Sequence, residues 1–403
     1  MSEPDVSALK TVAEAMAIID AASVSPQATV ARLSDAGGLI LAQDLHADRD
    51  FPPFDKSQMD GYAVRSTDVH AGAKLRVVGE VAAGATSDHV VAVGEAVAIM
   101  TGAPIPSGAD AIVPVEDAIV SGDSIALQKS TSPGKYIAKR GSDCLAGTTV
   151  LSAGTRLGPA QTAVAAAVGA MDVRVFKRPK VAVLSTGDEI VPIDQRPGPS
   201  QIRNSNSAML VSLLQRLGCE TIDLGHVADD LDLLREALSR GLQNDALFVT
   251  GGMSMGKYDY VPGLLRELGV ELLITKLRIK PGKPFVFGKR TAKPFTYVFG
   301  LPGNPVSAYV CTLRLASRLL ARMAGGTLQE RWSSARLGSP LPANGPREFY
   351  QPARLIDGDA VPMNWKGSAD LFTLAQADAL LVRAENEPAM PAGSPVRLLE
   401  IPR

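Results

Sequence analysis

Between residues 179 and 324, short apolar runs alternate with segments in which leucines recur at helical spacing. The apolar runs predict strands at 181–185, 221–225, 246–250, 274–279 and 296–301. The other segments predict helices at 204–218, 229–242, 260–269 and about 305–323. Strands and helices that alternate in this way form a mostly parallel sheet covered on both faces, so we expect an α/β/α sandwich here.

The rest of the chain has other patterns. Residues 8–22 and 158–171 have helical periodicity, whereas 74–130 predicts short strands interrupted by Gly, Pro and Asp. From residue 333 onward helical periodicity is absent and short strands are predicted again. A chain of 403 residues with these changes of pattern is expected to form several domains.

The composition is that of a globular protein, with 46% apolar residues, 21% charged residues and a formal net charge of −1. We expect no nucleic-acid partner, since such proteins usually carry a basic excess. We expect no membrane association, because the N-terminus lacks a signal pattern and the longest low-charge stretch, 158–171, is too short to span a bilayer. Three distant cysteines and four histidines without ligand spacing predict a reduced, cytoplasmic protein whose chemistry needs neither residue type.

Candidate chemistry lies in the loops that follow the strands, because open parallel sheets bind ligands beyond the carboxyl ends of their strands. The loop at 250–261 has three glycines and the loop at 301–308 has Gly303, and glycine lets the backbone approach a ligand closely. Three loops carry carboxylates, at Asp188, Glu189, Asp229, Asp230 and Asp259. In 301–308, Asn304 is expected to begin a helix whose free amides form an anion site.

A basic segment at 275–284 carries Lys276, Arg278, Lys280 and Lys283. Cations and glycines suit a phosphate group, and carboxylates suit a divalent cation such as Mg²⁺ that bridges to phosphates. The loops together predict a phosphorylated substrate and a metal ion. Each feature alone also has a simpler interpretation, as a turn, a helix cap or a solvated loop. The chain has no GxxxxGK[ST] loop and no GxGxxG motif, so the functional interpretation depends on the convergence of several loops.

Six motifs occur in order along the chain: PPFDKSQMDGYAV, MTGAPIPSGADAIVPVED, STGDEI, GGMSMGKYDYV, KPGKPFVFG and GLPGNPVSA. With these motifs, the chain resembles the molybdopterin molybdenumtransferases of the MoeA family, which include the E domain of gephyrin, over about residues 8–400. The resemblance implies an enzyme that inserts molybdate into adenylylated molybdopterin and releases AMP, assisted by Mg²⁺.

The resemblance also implies which residues form the site. The implied catalytic residues are Asp60, Thr101, Asp143, Glu189, Asp229 and Asp259, and the implied metal ligands are Glu189, Asp229 and Asp259. The implied substrate-binding residues are Ser185, Thr186, Gly187, Gly251, Gly252, Ser254, Gly256, Lys276, Lys280, Lys283, Pro302, Gly303, Asn304, Pro305 and Ser368. One departure is Gln351, where the family often has an arginine; Arg347 and Arg354 are candidates to replace it.

The resemblance further implies a multidomain α/β plus β architecture. The implied domains are a split N-terminal domain (1–50 and 140–178), an inserted β-rich domain (51–139), an α/β molybdopterin-binding domain (179–326) and a small, barrel-like C-terminal β domain (333–403). The implied assembly is an elongated homodimer. Further expected partners are a molybdopterin adenylyltransferase, other cofactor-biosynthesis proteins and molybdoenzyme acceptors.

Two other functions fit parts of the sequence. The first is a non-catalytic scaffold, because the gephyrin E domain also anchors receptors. The second is another enzyme on the same α/β domain, such as a molybdopterin adenylyltransferase, but its single-domain members lack the MDGYA and MTGAP motifs. AMP release from adenylylated molybdopterin separates a scaffold from an enzyme.

If the implied dimer has a two-fold axis, we expect a site shared between subunits. In this site Asp60 and Thr101 of one chain would face Glu189, Asp259 and Lys280 of the other. Mixing the inactive variants Asp60→Ala and Asp259→Ala should then restore activity to about a quarter of wild type, because about half of the dimers are mixed and each has one intact site. Activity is measured after subunit exchange, which mass spectrometry verifies. No recovery after verified exchange would show that each site comes from one chain.

Overall fold

The structure, a computed structural model, describes residues 9–85, 88–253, 260–328 and 330–402. Within these residues the chain divides into two compact units. The larger unit comprises Met1–Ala31, Gly38–Ala42 and Arg174–Arg403, and the smaller unit comprises Arg32–Gly37 and Gln43–Val173. The predicted split N-terminal domain (1–50 and 140–178) has parts in both units, and the division into four domains stays a prediction. No helix in the described part of the chain has both the length and the apolar character needed to cross a membrane.

The α-helices are α1 Val12–Asp20, α2 Pro159–Ala167, α3 Ser205–Arg216, α4 Leu231–Gly241, α5 Val261–Glu267, α6 Pro305–Cys311, α7 Ser317–Met323 and α8 Leu371–Gln376. A π-helical turn, Thr312–Ala316, joins α6 to α7. The strands are β1 Ala28–Arg32, β2 Leu45–His46, β3 Lys56–Ser57, β4 Gly61–Val64, β5 Lys74–Val81, β6 Glu95–Ile99, β7 Ala111–Pro114, β8 Ala118–Ser121, β9 Ser124–Leu127, β10 Ile137–Ala138, β11 Thr149–Leu151, β12 Asp172–Phe176, β13 Lys180–Thr186, β14 Ile190–Val191, β15 Ile202–Arg203, β16 Glu220–Val227, β17 Ala246–Thr250, β18 Val270–Ile274, β19 Ile279–Lys280, β20 Val286–Arg290, β21 Thr296–Leu301, β22 Trp332–Leu337, β23 Glu348–Ile356, β24 Asp359–Pro362, β25 Ala379–Arg383 and β26 Pro395–Glu400.

The larger unit is built around a six-stranded sheet in the order β16-β13-β17-β21-β20-β18. The first four strands are parallel, as the sequence predicts, and β20 and β18 follow at one edge, with β20 antiparallel to both β21 and β18. The α/β class is therefore confirmed. The strand predicted at 274–279 is wrong, because β18 ends at Ile274 and β19 comprises only Ile279–Lys280. Strand β20 was not predicted, because its apolar residues follow directly on the basic KPGKP segment.

Both faces of this sheet are buried at the central strands β13, β17 and β21, which explains why these strands are mainly apolar rather than alternating. Val183 and Phe248 contribute to the core on one face, together with residues of α1, α3, α6 and α7. Leu184 and Val249, the next residues along their strands, contribute to the core on the other face, with α4 and α5. Helices on both faces give the predicted sandwich, and α1 is one of them.

The C-terminal part of the larger unit forms a closed five-stranded barrel in the order β23-β24-β22-β26-β25, with β25 pairing back to β23. This barrel confirms the predicted C-terminal β fold. Three of its buried residues, Tyr350, Leu380 and Leu399, join the core formed by α3 and α7. In addition, β19 pairs in parallel with β23, so the segment that follows β18 is attached to the barrel.

The smaller unit contains a six-stranded sheet in the order β7-β4-β6-β5-β9-β8, in the region where the sequence predicts short strands. Residues of β4 alternate between two cores, with Val64 in one and Ala63 in the other. Successive side chains of a strand point to opposite faces of the sheet, and this period of two accounts for the short, interrupted apolar pattern of this region.

A buried arginine connects the π-helical turn to the barrel. Arg314 is 9% exposed, its Nε donates to the Tyr350 hydroxyl at 2.8 Å, and its guanidinium pairs with Glu330. Burial raises the pKa of Tyr350 well above its ordinary value, so the hydroxyl keeps its proton. The guanidinium also lies 5.3 Å from the ring centroid of Trp332.

Arg314→Leu should lower the free energy of unfolding by about 3 kcal/mol, because it breaks a buried ion pair with Glu330 and removes the bond to the Tyr350 hydroxyl. Glu330 keeps Trp332 Nε1 and Arg318 as partners, and the Tyr350 hydroxyl still donates to Glu348. The matched control is Arg235→Leu, which breaks ion pairs to Asp232 and Glu267 at the surface and should cost less than about 1 kcal/mol. Urea denaturation of both variants measures the difference. Equal losses would show that the Arg314 contacts contribute no more than a surface ion pair.

Candidate functional site

A cleft of about 600 Å³ lies at the carboxyl ends of β13, β17 and β21 in the larger unit. Its lining residues are Ser185, Thr186, Glu189, Ile190, Ile202, Arg203, Asn204, Ser205, Asn206, Thr250, Gly251, Gly252, Met253, Pro284, Pro302, Gly303, Asn304, Pro305, Ala369 and Leu371. A volume of this size suits a small-molecule ligand.

The position of the cleft follows from the order of the strands. In the sheet, β16 follows β13 in the chain and lies on one side of it, whereas β17 and β21 lie on the other side of β13. The loops that leave β13 and β17 therefore diverge and leave a crevice between them, as at other topological switch points. Of the four predicted loops, those after β13, β17 and β21 line the cleft. The loop after β16 instead contacts the loop after β13, where the Asp229 amide donates to the Asp188 carboxylate at 3.0 Å.

Glycines allow the backbones of these loops to pack closely. Gly251 has a φ of +88°, and a Cβ there would collide with the carbonyl oxygen of Thr186. A Cβ at Gly303 would lie 3.8 Å from the Cα of Gly251, so the loops after β17 and β21 face each other directly. A side chain at Gly251 would therefore push apart the walls of the cleft.

One wall is the N-terminus of α3. The side chain of Asn204 caps this helix by accepting the Ser207 amide at 3.1 Å. Asn204 also accepts the Ser185 hydroxyl at 3.0 Å, and Ser185 in turn accepts the Thr250 hydroxyl at 3.2 Å. This chain of buried hydrogen bonds fixes β13 and β17 to the start of the helix.

Among the described residues that line the cleft, the charged side chains are Glu189 and Arg203. Both are exposed, and the Arg203 Nε donates to the Gln195 carbonyl at 3.1 Å. The turn that carries Glu189 begins at Gly187, whose φ is +134° and where a Cβ would lie 2.5 Å from the Glu189 carboxylate. The Nε2 of His226 lies 2.7 Å from the Gly187 carbonyl oxygen, so the end of β16 helps to hold this turn.

The sequence analysis missed Arg203, Asn206 and His226. A signal for Arg203 was present, because it directly precedes Asn204, the residue that caps α3 at the edge of the sheet. Likewise, Asn206 lies in the first turn of α3, the part of a helix that faces a ligand at this edge. Nothing local identifies His226, which depends on β16 lying next to β13.

Two polar side-chain atoms of the cleft are buried without a hydrogen-bond partner among the described residues: Thr186 Oγ1 and Asn206 Oδ1. Their residues are 3% and 8% exposed. Buried polar groups in proteins nearly always have a partner, so these atoms mark places where a ligand can bind.

The predicted lysines lie outside the lining of the cleft as the described residues form it. Lys280, in β19, has its Nζ 4.4 Å from the ring centroid of Phe349 in the barrel. The Lys283 carbonyl accepts the Leu277 amide at 2.9 Å, and Lys276 lies in the same connection between β18 and β20. The substrate contacts of these lysines stay a prediction.

The loop before α8 closes one side of the cleft. Asn304 donates from Nδ2 to the Ser368 hydroxyl at 2.8 Å, and the Val306 amide donates to the Ser368 carbonyl at 3.0 Å. Ala369 and Leu371 then line the cleft.

The side chain of Gln351 donates to the Met363 carbonyl at 3.4 Å, and the Arg354 Nε donates to the Gln376 carbonyl at 3.3 Å. Arg347 provides a carbonyl that accepts from Asn344.

The remaining predicted residues lie in the smaller unit or outside the described residues. In the smaller unit, the Thr101 amide and hydroxyl donate to Asp60 at 2.6 and 2.8 Å. These bonds, above all the one from the amide, hold the pKa of Asp60 below its usual value and keep the carboxylate charged. Asp143 is exposed and accepts the Ser142 hydroxyl at 3.2 Å. Ser254, Gly256 and Asp259 lie outside the described residues.

The predicted metal ligands are Glu189, Asp229 and Asp259; of the two that are described, Glu189 lines the cleft and Asp229 does not. No group of three or more His, Cys, Asp or Glu side chains that could hold a metal occurs in the part of the chain that is described. Since Asp259 is not described, the predicted ligand set stays a prediction. A single carboxylate is nevertheless compatible with Mg²⁺, which usually binds one or two protein carboxylates together with substrate phosphates and water.

Family models match three parts of the chain. The MoeA N-terminal region (domain I and II) matches residues 10–169, a probable molybdopterin binding domain matches 182–322, and the MoeA C-terminal region (domain IV) matches 334–401. Most residues that line the cleft lie in the second match, and Ala369 and Leu371 lie in the third. Together the three models cover most of the chain.

Relatives and solved structures agree with these matches. The chain is 35% identical to the molybdopterin molybdenumtransferase of Nostoc sp., and the similarity covers 91% of this chain and 87% of that protein. It is 31% identical to the molybdopterin molybdenumtransferase of Synechocystis sp., over 95% and 97%. A crystal structure of the molybdopterin biosynthesis MoeA protein from Pyrococcus horikoshii superposes with a TM-score of 0.81 at 32% identity, over 97% and 99%. The resemblance drawn from the six motifs is thereby confirmed, and the chain belongs to the MoeA family of molybdopterin molybdenumtransferases.

Proposed function

We propose that this protein inserts molybdenum into molybdopterin during cofactor biosynthesis, using the adenylylated form as substrate and releasing AMP with the assistance of Mg²⁺. The observation that carries this proposal is the cleft at the switch point of the α/β sheet. It combines close-packed glycine loops, one cation, one carboxylate and two buried polar atoms without partners. Membership of the family supports the reaction class.

The anionic part of the substrate suits the end of the cleft formed by Arg203 and the first turn of α3. Arginine can bind a phosphate oxygen pair with two parallel hydrogen bonds, and the helix N-terminus favours negative charge. The glycines of the loops after β17 and β21 let backbone groups approach the same ligand. These groups bind and orient the diphosphate and exclude water from its neighbourhood.

Glu189 is the cleft residue that suits Mg²⁺, because carboxylate oxygen is a preferred ligand of this ion. Bound there, Mg²⁺ would neutralise negative charge on the phosphates and on the departing AMP. Gly187 and His226 position the turn that carries this carboxylate. The dithiolene sulfurs that receive molybdenum belong to the substrate, and molybdate is the second substrate.

The proposal includes a homodimer in which Asp60 and Thr101 serve the site of the partner chain. Thr101 holds Asp60 charged and in one orientation, which suits a residue that orients a ligand. A molybdopterin adenylyltransferase is the expected supplier of the substrate, and molybdoenzymes are the expected acceptors of the product.

The test of the proposed function is AMP release from adenylylated molybdopterin, measured with and without molybdate and over a range of Mg²⁺ concentrations. Wild type should release AMP only with molybdate, and EDTA should stop the reaction without lowering the melting temperature. Glu189→Gln should raise the Mg²⁺ concentration needed for half-maximal activity by at least about ten-fold, because a metal ligand of similar size loses its charge. Molybdate-independent release would contradict the reaction, and an unchanged Mg²⁺ dependence would remove Glu189 from the metal site.

Arg203→Ala should weaken binding of molybdopterin about ten-fold at low salt, because a charge-assisted bond to phosphate is lost. The effect should shrink as ionic strength rises, since an exposed charge is screened over about 10 Å at 0.1 M salt. Arg196→Ala is the matched control, because Arg196 is an exposed arginine outside the lining of the cleft. Equal effects of the two substitutions would mean that only the general charge of this surface matters.

A further inference from the structure

Thr186 and Asn206 differ from the other polar residues of the cleft because one atom of each is buried and unpaired within the described residues. Ser185, Asn204 and Thr250 line the same cleft, yet they satisfy one another. The two unpaired atoms come from different elements, the end of β13 and the first turn of α3. Both residues line the cleft.

The orientation of the Asn206 amide is fixed by its other contact. Its Nδ2 donates to the carbonyl of Gly303 at 2.7 Å. The reverse orientation would bring two acceptor oxygens together, so Oδ1 is the atom left without a partner. The cleft thus offers an acceptor at Asn206 and a hydroxyl, which can donate or accept, at Thr186.

We propose that Thr186 Oγ1 and Asn206 Oδ1 bind the hydrogen-bonding edge of the substrate's heterocycle. This inference rests on the proposed function and assigns a part of the substrate to a part of the cleft. Ionised phosphate has only acceptor oxygens, so it cannot satisfy Asn206 Oδ1. A pterin and an adenine both carry N–H donors beside ring acceptors, and either edge satisfies an acceptor and a hydroxyl together.

Two kinds of contact in the cleft differ in their chemistry. Arg203 provides a cation for the phosphates, whereas Thr186 and Asn206 provide neutral polar atoms for the ring. A flat ring also suits the apolar residues that line the cleft, among them Met253 and Leu371. The ring would therefore be held by direction-dependent contacts and the phosphates by charge.

An unpaired buried hydroxyl has an energetic signature that a structural hydroxyl lacks. Its removal takes away no internal bond and relieves a desolvation penalty, so the free protein should be as stable as wild type or more stable. Ligand binding should become weaker, because the ligand then loses its partner. Stability and affinity should change in opposite directions, whereas a hydroxyl that only supports the fold would lower stability.

Three threonine-to-valine substitutions, which nearly conserve side-chain shape, form the experiment. Thr186→Val removes an unpaired hydroxyl inside the cleft. Thr250→Val removes a paired hydroxyl inside the cleft, and Thr312→Val removes an unpaired, fully buried hydroxyl outside it. Melting temperatures are measured without ligand. Dissociation constants are measured by calorimetry under anaerobic conditions, with AMP and with molybdopterin as separate probes.

Thr186→Val should keep or raise the melting temperature and raise the dissociation constant of one probe about ten-fold, which is the loss of one hydrogen bond. The affected probe identifies the ring, adenine for AMP or pterin for molybdopterin. Thr250→Val should lower the melting temperature, and Thr312→Val should leave both dissociation constants unchanged. Asn206→Leu should weaken binding of the same probe as Thr186→Val.

Unchanged affinity for both probes in Thr186→Val and Asn206→Leu would overturn the inference while leaving the proposed function intact. A fall in melting temperature of Thr186→Val equal to that of Thr250→Val would also overturn it, because the hydroxyl would then support the fold. If wild type binds neither probe, the proposed function fails, and the inference fails with it.

Discussion

The site depends on one constraint of the fold, which is that β13 and β17 are adjacent and parallel while the chain leaves them in opposite directions. Apart from Lys180 at the start of β13, the residues of both strands are buried, and both strands end in polar residues whose backbone groups open onto the crevice. The start of α3 forms one wall of this crevice, and the loop after β21 forms another. The remaining features of the site adjust the walls of a cleft that the strand order already creates.

The walls of the cleft are held by two different means. Paired hydroxyls and amides join β13, β17 and α3, and these bonds favour a single arrangement of the backbone. Glycines with positive φ, such as Gly187 and Gly251, bring the loops closer than side chains would allow. Against this rigid background, Thr186 and Asn206 keep unpaired atoms at a cost in stability. Such local costs are characteristic of functional sites, because the ligand is what repays them.

The C-terminal barrel belongs to the same unit as the cleft and contributes to the site. Its core residue Tyr350 and the buried Arg314 connect it to the helix that begins at the cleft. The loop before α8 is fixed to that helix by Ser368 and Asn304 and places Leu371 at the cleft. Close contact across this connection explains why α6 and the π-helical turn are almost completely buried.

The sequence alone determined the four parallel strands and the helices of the α/β region, the barrel-like C-terminal region and the family, because apolar periodicity and contiguous motifs are local properties of the chain. It also predicted that Glu189, Gly251 and Asn304 meet at one edge, since parallel strands bring the loops that follow them together. Only the tertiary structure decided which side chains face the cleft. Arg203 and Asn206 reach it from α3 and the residues just before it, His226 acts from the neighbouring strand, and Lys280 lies against a ring of the barrel. These positions depend on the strand order and on the docking of the barrel, which arise from contacts between residues far apart in sequence.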